Sequence, residues 1–192
     1  MKRVLAFAAV CLLCFSCNIL SQVQETANLV RKCKFSLDSV QNVTIAGINL
    51  KGINTNSLTA TNIAKLSAAL LTKNIPLNMT VNVGIQNPTQ KPASLNSMDW
   101  KLDIDNIEFA NGSTNKKVSV PSKSKTAMPL SFNVNTYNLF SQNGISAVKN
   151  FVSSFSSTSG NSSRVAIKVN PTMAIGSQSV KLGYMTLAKN IN

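Results

Sequence analysis

Residues 77–105 read LNMTVNVGIQNPTQKPASLNSMDWKLDID, and the alternation on either side of the Asn-Pro step decides the fold. Leu77, Met79, Val81, Val83 and Ile85 fall on one side of an extended chain, with Asn78, Thr80, Asn82 and Gln86 on the other. That period of two is the mark of a strand with one buried face. Asn87-Pro88 opens a turn that runs to Pro92, because neither proline can donate to a sheet ladder. Alternation then resumes: Met98, Trp100, Leu102 and Ile104 face inward, and Asp99, Lys101, Asp103 and Asp105 face out.

The same reading extends to both sides. KFSLDSVQNVTIAGINL (34–50) alternates with slips of phase, which predicts one bulged strand or two short ones. Residues 59–74, TATNIAKLSAALLTKN, change to helical spacing, with Ile63, Leu66 and Leu70 on one face, threonines at the start and Pro76 beyond the end. After the central stretch, Ile107 and Phe109 before Asn111-Gly112, with Val118 and Val120 after, predict a hairpin turning at the Asn-Gly pair. Met128, Leu130, Phe132 and Val134 mark another strand, and Leu139 to Phe155 returns to helical spacing. A serine-rich loop and two closing strands, RVAIKVNPTMAIG and SVKLGYMTLAKNI, complete the chain. About seven strands with turn signals between them indicate a mainly β, antiparallel sandwich with one or two short helices.

The chain opens MKRVLAFAAVCLLCFSCN. Lys2 and Arg3 precede an unbroken apolar run from Val4 to Phe15, and Ser16, Cys17 and Asn18 turn it polar, which is the layout of a secretory signal. The run is shorter than the about 20 residues a membrane-spanning helix needs. Cys11, Cys14 and Cys17 have part of an iron–sulfur spacing but lack the fourth ligand and the following proline. The pattern looks like a bacterial lipoprotein signal, cut just before a diacylated cysteine, and Cys17 alone fits that role. It departs from the usual pattern in having Cys14 where leucine is common. Cleavage nearby to release a secreted protein is the alternative, although no A-x-A site is on offer. The expected organisation is a lipoprotein signal peptide at 1–16, a lipidated N-terminus and polar tether at 17–33, and one domain at 34–192. A domain of that length buries roughly 70% of its unfolded surface.

Composition narrows the chemistry. The chain has no histidine, which removes Ser–His–Asp and Cys–His catalysis and every His-containing zinc site. Asp99, Asp103, Asp105 and Glu108 cluster in DWKLDIDNIE, but strand alternation puts the aspartates about 7 Å apart on a solvated face, and no Asp-Gly loop supplies calcium geometry. No metal, no cofactor and no enzymatic activity are expected. Cys33 in RKCK is either activated by Arg31, Lys32 and Lys34 or an inert small apolar residue at a strand start. The net charge is +13, yet the lysines are scattered singly without interleaved aromatics. This argues against nucleic acid and for an anionic membrane surface or envelope polymer.

The middle of the chain resembles the late embryogenesis abundant type 2 (WHy-domain) family. The residues that carry the resemblance are MTVNVGIQNPTQKPASLNSMDWKLDIDNIEFANG, flanked by KFSLDSVQNVTIAGINL and VPSKSKTAMPLSFNV. They give a strand ending in Asn-Pro, a polar turn with a second proline, an aromatic-bearing strand and a short hairpin. The resemblance implies an immunoglobulin/fibronectin III-like sandwich, no catalysis, an association with stress protection, and frequent export or lipid anchoring in bacteria. The expected function is therefore a non-enzymatic, lipid-anchored cell-envelope protein that binds or protects envelope components. Its partners would be a membrane, through the lipid on Cys17, and an envelope protein, polymer or lipid ligand. The alternative is a periplasmic lipid or fatty-acid carrier whose cavity is lined by Met79, Met98 and Met128. Asn18 after the cysteine fits outer-membrane sorting in some bacteria, facing the periplasm or the surface.

Overall fold

The alternation at 77–86 becomes β3 (Pro76–Gln86), the central strand of a four-stranded antiparallel sheet ordered β2-β1-β3-β8. β1 spans Lys34–Ile45, β2 Ile48–Asn49 and β8 Lys125–Asn135. The computed structural model describes residues 31–51, 53, 58–104, 106–141, 151–152, 163–175 and 178–191, together with Asn28 and Ser146. A second antiparallel sheet runs β10-β9-β5-β6, from β5 (Ser97–Ile104), β6 (Ile107–Thr114), β9 (Ser163–Ile175) and β10 (Gln178–Lys181); β11 (Met185–Ile191) also pairs with β9. β4 (Ala93–Leu95) and β7 (Val118–Val120) form a small two-stranded sheet. The described fold is thus mainly β, with antiparallel sheets and two helices, α1 (Ala60–Leu71) and α2 (Tyr137–Phe140).

The inward faces of the two large sheets share one core. Leu77, Met79, Val81, Val83 and Ile85 of β3 are buried with Met128, Leu130 and Phe132 of β8 and with Met98, Leu102, Ile104, Val165, Ile167 and Val169 of the second sheet. Trp100 of β5 meets Phe132 of β8 edge-on, ring centroids 4.7 Å apart, so an aromatic from each sheet touches across the interface. Pro129 is tolerated in the middle of β8 because β8 is an edge strand and its missing N–H leaves no ladder partner unmet. Lys189 of β11 reaches across at the other side, Nζ donating to the Asp38 carbonyl of β1 at 2.7 Å.

The phase slips read in 34–50 are bulges in a single long strand. The β1–β3 register shifts between Leu37 and Ser39 and again between Gln41 and Thr44, and Asn42 has a positive φ of 55°. The bulge at Asp38 lays its carboxylate over Gly84, where a Cβ would overlap both carboxylate oxygens and Lys125 Cε.

Three expectations need correction. Asn111-Gly112 is not a turn; it lies inside β6, where Gly112 pairs with Trp100 and a Cβ would come within 2.7 Å of the indole. The glycine is there to admit the ring. The chain reverses instead between Ile104 and Ile107, which lie opposite each other, with Asn106 at φ 66°. Val118 and Val120 consequently pair with β4, not with β6. The final strand is also divided, since Gly183 at φ 95° separates β10 from β11. Of the helical stretch expected at 139–155, Phe140 closes α2 and residues 151–152 are helical, while most of the remainder lies outside the described residues.

Helix α1 forms where spacing placed it, with Leu66 and Ala69 buried and Ile63 and Leu70 half-buried. Thr59 Oγ1 accepts from Asn62 N–H at 3.2 Å and caps the start. At the other end Asn74 N–H donates to Ala69 O and Lys73 N–H to Leu70 O, a Schellman closure. It places Lys73 at φ 54°, where glycine carries no Cβ penalty. Lys73→Gly should therefore stabilise the fold by about 0.5–1 kcal/mol. The measurement is a higher urea midpoint at unchanged slope.

Candidate functional site

Cys17 and the whole of residues 1–16 lie outside the described residues. Cys33 is described: it is buried at the entry to β1, and burial pushes its thiol pKa up, not down. The neighbouring Arg31, Lys32 and Lys34 point into solvent and do not activate it. It is the inert apolar residue of the two readings.

The carboxylates of β5 and β6 meet lysines. Lys181 Nζ lies 2.6 Å from Asp99 Oδ2, Lys101 Nζ 3.2 Å from Glu108 Oε2, and Lys168 Nζ 2.7 Å from Asp103 Oδ2. Asn111 Nδ2 also donates to Glu108 at 2.9 Å, and that bond followed by the one from Lys101 holds the Glu108 carboxyl below its ordinary pKa. The hydrogen bonds from Lys168 to Asp103 and from Lys181 to Asp99 hold those lysines protonated above theirs. The cluster is thus an array of lysine–carboxylate pairs laid across β5, β6, β9 and β10. On the first sheet, Asp38 accepts from Lys125 Nζ at 2.7 Å and from Ser36 Oγ at 2.7 Å, and its carboxyl is likewise lowered.

Asp103 departs from the expected solvated face. It keeps its outward side, opposite Ala166 on β9 and Glu108 on β6, but is only 7% exposed, and its Oδ1 is buried without a hydrogen-bond partner. Alternation assigns a side, not an exposure; a register shift at this residue and the Lys168 side chain reaching over from β9 enclose it. Asp105, the fourth expected member, lies outside the described residues. Met79, Met98 and Met128 are each buried to 2% exposure or less inside the core between the sheets.

The residue that sequence reasoning undervalued is Asn87. It is fully buried, and its backbone N–H donates to Ser124 O at 2.8 Å. Its Nδ2 is shared among Lys91 O at 2.8 Å, Val120 O at 3.1 Å and Pro121 O at 3.1 Å. Its Oδ1 accepts from Thr89 N–H at 2.9 Å, and Thr89 O accepts from Lys123 N–H at 3.1 Å. One carboxamide thus fastens the turn after β3 to the turn before β8. The signal in the sequence is Asn-Pro-Thr, an Asx turn in which asparagine bonds the backbone two residues on. Asn87→Ala leaves three carbonyls and an amide without their partner, and should cost about 3 kcal/mol. The melting temperature should fall by roughly 6–12 °C. Asn87→Asp keeps the acceptor but turns a carboxylate toward carbonyl oxygens, and should cost more at neutral pH.

Compared with known proteins, the chain matches no family model and no curated relative. Among solved structures it is similar to a protein from Archaeoglobus fulgidus, at 15% identity and TM-score 0.40, covering 81% of this chain and 96% of that one. It is also similar to an Arabidopsis thaliana protein at 14% identity and TM-score 0.41, covering 60% and 69% of the two chains. A third likeness is to a protein provisionally described as late embryogenesis abundant, at 12% identity and TM-score 0.39, covering 90% and 83%.

Proposed function

We propose that the chain is a non-enzymatic, lipid-anchored protein of a bacterial cell envelope. In this reading Cys17 carries the lipid, and an immunoglobulin/fibronectin III-like sandwich of the late embryogenesis abundant type 2 kind works by surface recognition, binding or protecting envelope components. The observation that carries it is the contact between Trp100 and Phe132 across the sheets, with Met79, Met98 and Met128 buried around it. Inner faces that touch leave the outer faces as the working surfaces. Those faces are polar and bonded to themselves: Asn133 Nδ2 donates to Asn78 Oδ1 at 2.6 Å, Asn78 Nδ2 to Thr44 Oγ1 at 3.2 Å, and Asn82 Nδ2 to Ser39 Oγ at 2.9 Å. Side chains fixed in this way present a rigid hydrogen-bonding pattern, which suits recognition of a polar surface. The basic start, apolar run and Ser16-Cys17-Asn18 step support the anchor.

Fatty-acid labelling in a bacterial host tests the anchor. The parent chain should incorporate label and Cys17→Ala should not; label retained by the variant would overturn the assignment. Native mass spectrometry of residues 18–192, purified without detergent, tests the packed interior. A clean protein mass is expected. A stoichiometric adduct with the mass of a fatty acid or phospholipid would replace this reading with that of a carrier.

A further inference from the structure

The lysines are scattered in sequence, but the strand register brings several of the cations to one end of the domain. Lys34 at the start of β1 lies opposite Gln86 at the end of β3, and Gln86 lies opposite Lys125 at the start of β8. The chain enters the fold here through Arg31 and Lys32. Asn87 draws the β7–β8 turn, with Lys123, onto the same end. The link from β6 to β7 arrives there too: Thr114 pairs with Met98 at the start of β5, Val118 pairs with Leu95, and Lys116 and Lys117 lie between. Arg31, Lys32, Lys34, Lys116, Lys117 and Lys123 are all exposed. The two carboxylates on strands reaching this end, Asp38 and Asp99, are already bonded by Lys125 and Lys181. The remaining described acids, Asp103 and Glu108, sit toward the opposite end, beside the reversal between β5 and β6.

From this placement we infer that the Asn87 end of the domain is a docking face for an anionic phospholipid surface. Cations spread over several turns cannot form one deep anion pocket, but they can all face a plane of negative headgroups together, and their attractions then add. The choice of a bilayer among anionic surfaces rests on the anchor reading, because a lipid on Cys17 would deliver this end to the membrane first. Docking would hold the domain with its strands rising from the surface and the outer sheet faces turned to the side. The attraction is screened by salt over a Debye length.

The test uses residues 18–192 without lipid, a chain that contains every described strand and every core residue from Cys33 to Val169. Co-sedimentation with vesicles of phosphatidylcholine, with and without about 30% phosphatidylglycerol to make the surface negative, reads the binding. Anionic vesicles should bind at least about tenfold more tightly, and the advantage should shrink as salt rises. The triple variant Lys116→Glu/Lys117→Glu/Lys123→Glu should lose about tenfold or more. Lys51→Glu/Lys65→Glu/Lys73→Glu, which makes the same change of charge in the stretch between β2 and β3, should stay within about twofold. The glutamine versions of the first set should lose less, in the same order. Equal losses from both triples would overturn the face, as would indifference to phosphatidylglycerol. Tight binding to heparin without binding to vesicles would replace the bilayer with a soluble polyanion. The vesicles report only on this end and fatty-acid labelling only on Cys17, so the two readings fail separately.

Discussion

The first sheet is organised by a buried carboxamide. β3 and β8 pair without interruption from Pro76–Asn135 to Gln86–Lys125, and β3 is flanked along its length by β1 on its other side. Such a ladder needs its ends fixed, because the chain leaves it for links that cross to the other sheet. Asn87 fixes one end. An amide withdrawn wholly from water is costly unless its donors and acceptor all find partners, and here they do. The geometry of three carbonyls from two turns is therefore written into the position of one side chain. At the far end Thr136, also fully buried, donates its N–H and hydroxyl to Ile75 O, both at 2.9 Å. Asn135 Oδ1 accepts from Ile75 N–H and Tyr137 N–H, and its Nδ2 donates to Lys73 O. Apolar burial supplies the driving force for the sheet, and these polar clamps choose its register, since a slip of one residue would strand every one of them.

The clamps also connect fold to surface. Asn87 determines where the Lys123 turn lies, and the bulge at Asp38 determines where Lys125 lies, because only a glycine at 84 leaves room for the carboxylate and the lysine to meet above the strand. A bulge, a glycine and a lysine on three adjacent strands make one feature. The charge distribution of the domain is in this sense a product of its backbone irregularities and not of its regular strands.

Much of this was legible in the sequence, and the failures share a cause. β3 was readable because one of its faces is uniformly apolar and the other uniformly polar. α1 was readable because its caps and spacing agree. The Asn111-Gly112 pair misled because a glycine opposite an aromatic satisfies a packing need that a turn signal imitates. Asp103 misled because side chains reaching from a neighbouring strand alter exposure without altering alternation. Asn87 reads as the start of a turn, yet three of its bonding partners lie more than 30 positions along the chain. Local periodicity sees one strand at a time; the features it missed all belong to pairs of strands.

That distinction bears on how such a domain could work. The described carboxylates on its sheets are committed: Asp38, Asp99, Asp103 and Glu108 each have a lysine. The exposed pairs among them add little stability, but they neutralise the faces locally and leave Arg31, Lys32, Lys34, Lys116, Lys117 and Lys123 as exposed positive charge at the Asn87 end. Binding by the faces would then depend on hydrogen-bond pattern and tolerate salt, whereas binding by the end would depend on charge and weaken with it. A tethered domain that docks by its end while presenting its faces can hold a membrane and a second partner at once, because the two surfaces draw on different residues and different forces.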